Sequence, residues 1–163
     1  MKNIEIFESQ TAEIFKVPYE SFPVPKDIYF HQISPEPKPV DGFGETLSPP
    51  ENEGEFDDFY QSFDLFEQCS EYRKNSTVFS STIEWLQSSG YISFERMGSF
   101  DCFQSVVLTA KGLEVLKGTP SCLDGSLTLG EKLQDEVVAT GSDMARDLVK
   151  QALREGLRIA VGM

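Results

Sequence analysis

The chain has 163 residues, of which 39% are hydrophobic and 25% are charged, and 13 of them are phenylalanine. This length and aromatic content predict one compact core with an appended segment, and they exclude a chain that is disordered throughout. Its 27 acidic and 14 basic side chains give a net charge of −13, the opposite of the basic excess with which most nucleic-acid-binding proteins neutralise phosphate.

Cysteine and histidine are too few and too scattered to indicate a metal site. Cys69, Cys102 and Cys122 form no CxxC pair, and His31 is the single histidine, so neither a zinc site nor a disulfide framework is predicted. The first ten residues mix charges among apolar residues too often for a signal peptide, and no run of about 20 apolar residues could span a bilayer. We therefore expect a cytoplasmic protein with no cofactor, metal or membrane contact.

Residues 1–33 are expected to form a helix and a turn that pack on the core. The apolar spacing predicts an amphipathic helix carrying Ile4, Phe7, Ile14, Phe15 and Val17. The prolines at 18, 23 and 25 are expected to end this helix, and the turn after it to pack Phe22 and Val24. An apolar element at 28–33 follows, which is either a strand or a helical turn.

Residues 34–55 have the composition of an acidic loop or linker. Proline and glycine oppose regular structure there, and like charges extend the chain. The carboxylates that continue to Asp58 lack the order of a calcium-binding loop, so we interpret them as a solvated acidic run. His31, beside this segment, has no nucleophile in a recognisable motif and is expected to be structural.

Residues 56–120 carry the predicted core. Phenylalanines at steps of three and four predict a helix from about 56 to 73, and a second helix follows Asn75. Its apolar stripe is Phe79, Ile83 and Leu86, flanked by Val78 and Trp85, and Gly90 is a natural stop. Two strands come next, in YISFERM and QSVVLT, and they are expected to cover that stripe.

A further helix is predicted after the second strand. Thr109 can cap it, its apolar positions are Leu113, Val115 and Leu116, and Gly118 with Pro120 end it.

Residues 121–163 are expected to form an amphipathic helical extension, either one helix or two packed helices over about 128–160. Its apolar positions are the candidates for self-association: Leu133, Val137, Met144, Leu148 and Ala152. Arg146, Lys150, Arg154 and Arg158 recur every four residues beside them and predict a basic ridge. The extension could pack on the core, pair with a second copy or lie on a membrane surface, and the overall acidity disfavours the last.

The order of helix, FSSTIEWLQSSGYI, strand, turn, strand and VVLTAKGLEVL resembles the winged helix-turn-helix family in its bacterial MarR-like or PadR-like form, over about residues 56–118. The resemblance implies a mainly α fold with a small antiparallel β-hairpin (α+β), and a homodimer. It implies a recognition surface on the outer row of the second helix, formed by Thr77, Ser80, Ser81, Glu84, Gln87 and Ser88. It also implies a wing at 98–103 with Arg96, Ser99, Phe100 and Asp101.

The sequence departs from a DNA-reading member of that family. Members offer Arg, Lys, Asn or Gln to base edges, whereas Gln87 is the only such residue in this outer row. The basic residues that could contact DNA are Arg73, Lys74, Arg96, Lys111 and Lys117. The outer row and the wing could equally be ordinary solvated surface.

We therefore expect a non-enzymatic binding module that acts through protein contacts and self-association, of a kind common in bacterial, phage and mobile-element regulators. One alternative is a DNA-binding transcriptional regulator, which the net charge disfavours and which needs the five basic residues on one face. The second is an acidic mimic of nucleic acid, which needs an ordered ridge of carboxylates within 36–67. An enzyme would require a deep pocket with convergent polar side chains.

Overall fold

Helices surround a small antiparallel sheet in the computed structural model, which describes residues 2–33, 70–98, 102–118, 127–136 and 143–161. In chain order the described elements are α1 (Asn3–Ser21), β1 (Lys26–Tyr29), α2 (Phe30–Ile33), α3 (Ser70–Ser88), β2 (Ile92–Ser93), β3 (Arg96–Met97), β4 (Cys102–Leu108), α4 (Ala110–Lys117), α5 (Leu129–Glu136) and α6 (Asp143–Ala160). The fold is therefore mainly helical with a small antiparallel sheet, as the sequence predicts.

Strand β4 is the centre of this sheet. It pairs antiparallel with β2 and β3 on one side, which confirms the predicted hairpin, and with β1 on the other. The apolar element at 28–33 is thus divided, with Ile28 in the strand and Phe30 opening the one-turn helix α2. The N-terminal segment supplies a strand of the sheet, a closer association than the packing on the core that we predicted for it.

A β-bulge lies where β1 meets β4. The pairing register shifts between Lys26 and Ile28, and Ser105 on β4 has a left-handed φ of 58°. The Ser105 backbone N–H donates to Asp27 Oδ1 at 2.9 Å, so a side chain satisfies the amide that the bulge takes out of the ladder. The bulge coincides with the point at which β4 changes partner from β3 to β2.

The apolar stripe of α3 is covered by the sheet, as predicted. Phe79, Ile83 and Leu86 are fully buried. The Phe79 ring lies between Phe30, at a centroid distance of 5.3 Å, and Phe103 of β4, at 5.7 Å. Burial of side chains of this size stabilises the fold by about 1.5–3 kcal/mol each, so this contact between α3 and the sheet is a principal source of stability.

The turn at Gly90 joins α3, the sheet and α4. Gly90 has φ +83°, its N–H donates to the Gln87 carbonyl at 3.0 Å, and the Tyr91 N–H donates to the Leu86 carbonyl at 2.9 Å. This is the Schellman pattern that ends a helix on a left-handed glycine. The Thr109 hydroxyl donates to the Gly90 carbonyl and accepts from the Gly112 N–H at 3.1 Å, so the predicted cap of α4 also holds the end of α3.

Two predicted helix boundaries are wrong. Pro18 lies inside α1, which continues to Ser21. The contacts of α1 with α3 and α6 stabilise the helix by more than the loss of one N–H donor destabilises it. Asn75 lies inside α3, where its carbonyl accepts from Gln10 Nε2 at 2.9 Å. Residues 70–73 thus belong to α3, and the rest of the helix predicted at 56–73 lies outside the described residues.

The turn after α1 also differs from the prediction. The sequence predicts that Phe22 and Val24 pack, but the two residues are 40% and 60% exposed. The segment turns directly into β1, and β1 is anchored in the core by Ile28 instead.

The C-terminal segment forms two helices, one of the two arrangements predicted. Thr128 and Glu131 begin α5 with a capping box, in which the Thr128 N–H donates to Glu131 Oε2 at 2.8 Å and the Glu131 N–H donates to Thr128 Oγ1 at 3.2 Å. Helix α6 packs on α1, α4 and α5, and its buried face belongs to the same core as Phe15. The predicted extension is therefore built into the core.

None of the helices within the described ranges is long and apolar enough to cross a membrane. The acidic segment 34–55 and the carboxylates of 36–67, on which the nucleic-acid-mimic alternative depends, lie outside the residues that the structure describes.

Candidate protein-interaction groove

An apolar groove of about 610 Å³ runs along the outer side of α3. Helix α1 contributes Asn3, Ile4 and Phe7, and α6 contributes Leu153. The remaining lining comes from α3: Thr77, Val78, Ser81, Thr82 and Trp85. The groove exists because α3 and α6 both pack on α1, so that three helices line one depression.

Two side chains of this groove leave much apolar surface in water. Trp85 is 45% exposed and Ile4 is 57% exposed. The sequence placed both in apolar faces expected to pack inward, yet each lies at the edge of its face. Exposed apolar surface that is contiguous and concave, rather than scattered, commonly marks an interaction site.

Trp85 is held in position by its neighbours. Its ring meets Phe7 edge-on at a centroid distance of 5.4 Å and stacks on Tyr91 at 6.2 Å. Tyr91 is in turn fixed, because its hydroxyl donates to the Leu153 carbonyl at 3.3 Å and Lys111 Nζ lies 4.4 Å from its ring centroid. The groove therefore presents a preformed aromatic surface, which limits the entropy lost when a partner binds.

The predicted recognition surface divides at this groove. Thr77 and Ser81 line it, beside Ile4 and Trp85. Glu84, Gln87 and Ser88 are exposed, and Ser80 is half-buried. The residues of the predicted outer row are therefore exposed, except for Ser80. Two of them border the apolar groove.

The basic ridge predicted on α6 is largely paired with acidic side chains. Arg146 lies 3.6 Å from Glu5 and Lys150 lies 3.9 Å from Glu8, both on α1. Arg158 lies 3.0 Å from Glu155 on its own helix. The Lys2 backbone N–H donates to Glu5 Oε2 at 2.7 Å, and this hydrogen bond is the main reason why the pKa of Glu5 is lowered. These pairs orient α6 on α1 and leave little unpaired positive charge for an anionic partner.

The candidate DNA-contacting residues are spread over the fold. Arg73 and Lys74 are exposed near the start of α3, whereas Lys111 donates to the Ser89 carbonyl at 2.8 Å, just beyond its end. Fifteen residues of helix separate these points by about 22 Å. Lys117 is exposed at the end of α4, and Arg96 lies in β3 with its side chain outside the described set.

The wing residues Ser99, Phe100 and Asp101 lie outside the described residues. Cys102, which follows them, is buried in β4 as a free thiol, and burial raises its pKa. A protonated, buried thiol is unreactive, so Cys102 serves as a small core residue.

The candidate self-association residues lie mostly in the core of the single chain. Leu133, Leu148 and Ala152 are buried, so a second copy could not reach them without opening the fold. Met144 is 53% exposed, and Val137 lies outside the described residues. The periodicity identified the buried face of α6 and could not distinguish burial within a chain from burial between chains. The sequence did not single out two exposed apolar residues, Leu157 near the end of α6 and Val161 just after it.

Among the residues that the structure describes, no three metal-ligating side chains lie together. Comparison of the chain with protein-family models, with curated proteins and with solved structures finds no match.

Proposed function

We propose that this chain is a non-enzymatic binding module on the winged-helix plan, and that it acts through protein contacts in the groove formed by α1, α3 and α6. Support for the plan comes from the order of elements: α1, β1, then α3 and a hairpin whose strand β4 also pairs with β1. The long helix α3 is covered by that hairpin on one side and faces outward on the other.

The observation that carries the proposal is the exposed, rigidly held Trp85 in a concave apolar surface on that outward side. Tryptophan is among the residues that contribute most binding energy in protein interfaces, and it does so in well-packed pockets surrounded by less important contacts. Here the hydroxyl groups of Thr77 and Ser81 border the ring and can form hydrogen bonds with a partner's backbone. A partner that presents an apolar helical stripe fits this shape and chemistry.

DNA binding is the weaker candidate. A DNA-reading helix needs basic or amide side chains where α3 has Thr77, Ser81 and Trp85. Of the cations expected to assist, Arg73 and Lys74 lie near the start of α3, whereas Lys111 near its other end is engaged by the Ser89 carbonyl and the Tyr91 ring.

Affinity capture from the native host with groove variants would test the proposal. Ser81→Arg places a long charged side chain in the groove, and Gln87→Arg places the same side chain on an exposed position of α3 about 120° away around the helix. We expect the wild-type protein and Gln87→Arg to retain the same protein, and Ser81→Arg to lose it. Equal retention by all three, or a low-salt gel shift that is sensitive to Lys74→Ala, would contradict a protein-binding groove.

A further inference from the structure

We propose that the partner in this groove is a second copy of the chain, with Leu157 of each copy inserted into the groove of the other. This inference rests on the function proposed above and names its partner. It also replaces the surface expected from the sequence, since Leu133, Leu148 and Ala152 are already buried.

The projecting residue and the groove lie side by side on one face. Leu153 lines the groove, and Leu157 lies one turn later on the same side of α6 with 66% of its side chain exposed. Val161, one turn further, is 67% exposed. When a projecting apolar residue lies next to a concave apolar surface, twofold pairing of two copies can bury both. Each copy then inserts its residue into the groove of the other.

The charges that flank the groove are complementary under such a twofold operation. Glu84 is exposed next to Trp85 on the α3 side, and Arg154 is exposed next to Leu153 on the α6 side. Neither forms an ion pair or hydrogen bond with another side chain within the parts of the chain that the structure describes. In the proposed pairing, which exchanges the two sides of the groove, Glu84 of one copy faces the partner's Arg154.

The described residues contribute little to the large net charge. Residues 34–69 carry ten acidic side chains against Lys38 alone, so they account for most of the −13. The described residues hold nearly equal numbers of acidic and basic side chains.

The size of the apolar patch indicates an association that depends on concentration. Trp85, at 45% exposure, leaves roughly 100 Å² in water, whereas a stable interface buries about 800 Å² on each partner. Trp85, Ile4 and Leu157 can therefore form the centre of an interface whose rim is polar, and we expect the dimer to dissociate on dilution.

Analytical ultracentrifugation of the full chain over a wide concentration range would test this. Leu157→Glu places a charge at the proposed contact, and Met144→Glu is the matched control, because Met144 is 53% exposed on the same helix about 140° away. We expect twice the chain mass for wild type and Met144→Glu at high concentration, and the single mass for Leu157→Glu. Trp85 is the only tryptophan, so its emission should shift to the blue as wild type associates and should not shift in Leu157→Glu.

Charge reversal provides a second test of the register. Glu84→Arg and Arg154→Glu should each weaken association about tenfold, and the double variant should recover most of it. A wild type that stays monomeric at every concentration, or a Leu157→Glu that associates like Met144→Glu, would overturn the inference. If such a monomer still retains a different protein in a manner sensitive to Ser81→Arg, the protein-binding groove stands and only the identity of its partner is wrong.

Discussion

Replacement of Gly156 by alanine tests the packing of α6 directly, because two effects of opposite sign compete there. Alanine within a helix is favoured over glycine by about 1 kcal/mol, so sequence considerations alone predict stabilisation. In the structure, however, a Cβ at position 156 would lie 2.6 Å from Cε1 of Tyr91 and in closer contact with its hydroxyl. Real Cβ atoms do not approach other atoms so closely, so the ring or the helix must move.

The ring has little room to move. Tyr91 is 2% exposed, and Phe15 and Trp85 lie at centroid distances of 5.9 and 6.2 Å. Overpacking of this kind costs about 1–3 kcal/mol, and the hydrogen bond from Tyr91 to the Leu153 carbonyl, worth about 1 kcal/mol, would be lost as well. We expect Gly156→Ala to lower the free energy of unfolding by roughly 1–3 kcal/mol after the helix-propensity gain.

Urea denaturation followed by circular dichroism measures this change, and the thermal midpoint should fall by about 2–4 °C per kcal/mol. The control is the same substitution in a Tyr91→Leu background, where no ring stands in the way and alanine should stabilise the fold by about 1 kcal/mol. A wild-type background in which Gly156→Ala raises the urea midpoint would refute the proposed contact between Tyr91 and α6.

Three further predictions concern stability. Thr109→Ala should lower the free energy of unfolding in urea by about 1–2 kcal/mol because it removes the cap of α4, and Thr109→Ser should recover most of that loss. An equal loss in both variants would contradict capping by the hydroxyl. Gly112→Ala should destabilise by about 1–3 kcal/mol, since its Cβ would press on the Tyr91 backbone, which cannot rotate away; an unchanged midpoint would be inconsistent with this contact. Burial raises the pKa of Glu13 from 4.5 to about 7, so the folded state binds a proton that the unfolded state releases. Stability should therefore fall as pH rises from about 4.5 to 7, Glu13→Gln should lessen that fall, and identical pH profiles would contradict the burial of this carboxyl.

Local signals predicted much of the fold. The stop at Gly90, the cap at Thr109 and the apolar stripe of α3 each depend on a few adjacent residues, and all three occur in the structure. Pro18 was misinterpreted because its average tendency to end a helix was outweighed by contacts from α3 and α6, which are distant in sequence. The pairing of β1 with β4 is likewise a contact between distant segments and has no local signature.

The groove was harder to predict than the fold. Helical periodicity assigned Ile4 and Trp85 to apolar faces correctly, but only the positions of α1, α3 and α6 decide which part of each face remains uncovered. Leu157 was not singled out because it lies about 140° around α6 from Ala152, away from the apolar positions whose spacing predicts a buried face. A sequence gives the direction of a side chain around its helix, whereas exposure depends on how far the neighbouring helix extends.

The position of α1 has a consequence for how the chain reaches its folded state. Its neighbours α3 and α6 begin about 50 and 120 residues after it ends. Closing such long stretches of backbone is entropically unfavourable and slow compared with forming helices locally. During synthesis α1 therefore emerges well before the helices that bury its apolar side, and that side stays exposed until α3 and α6 have also been made.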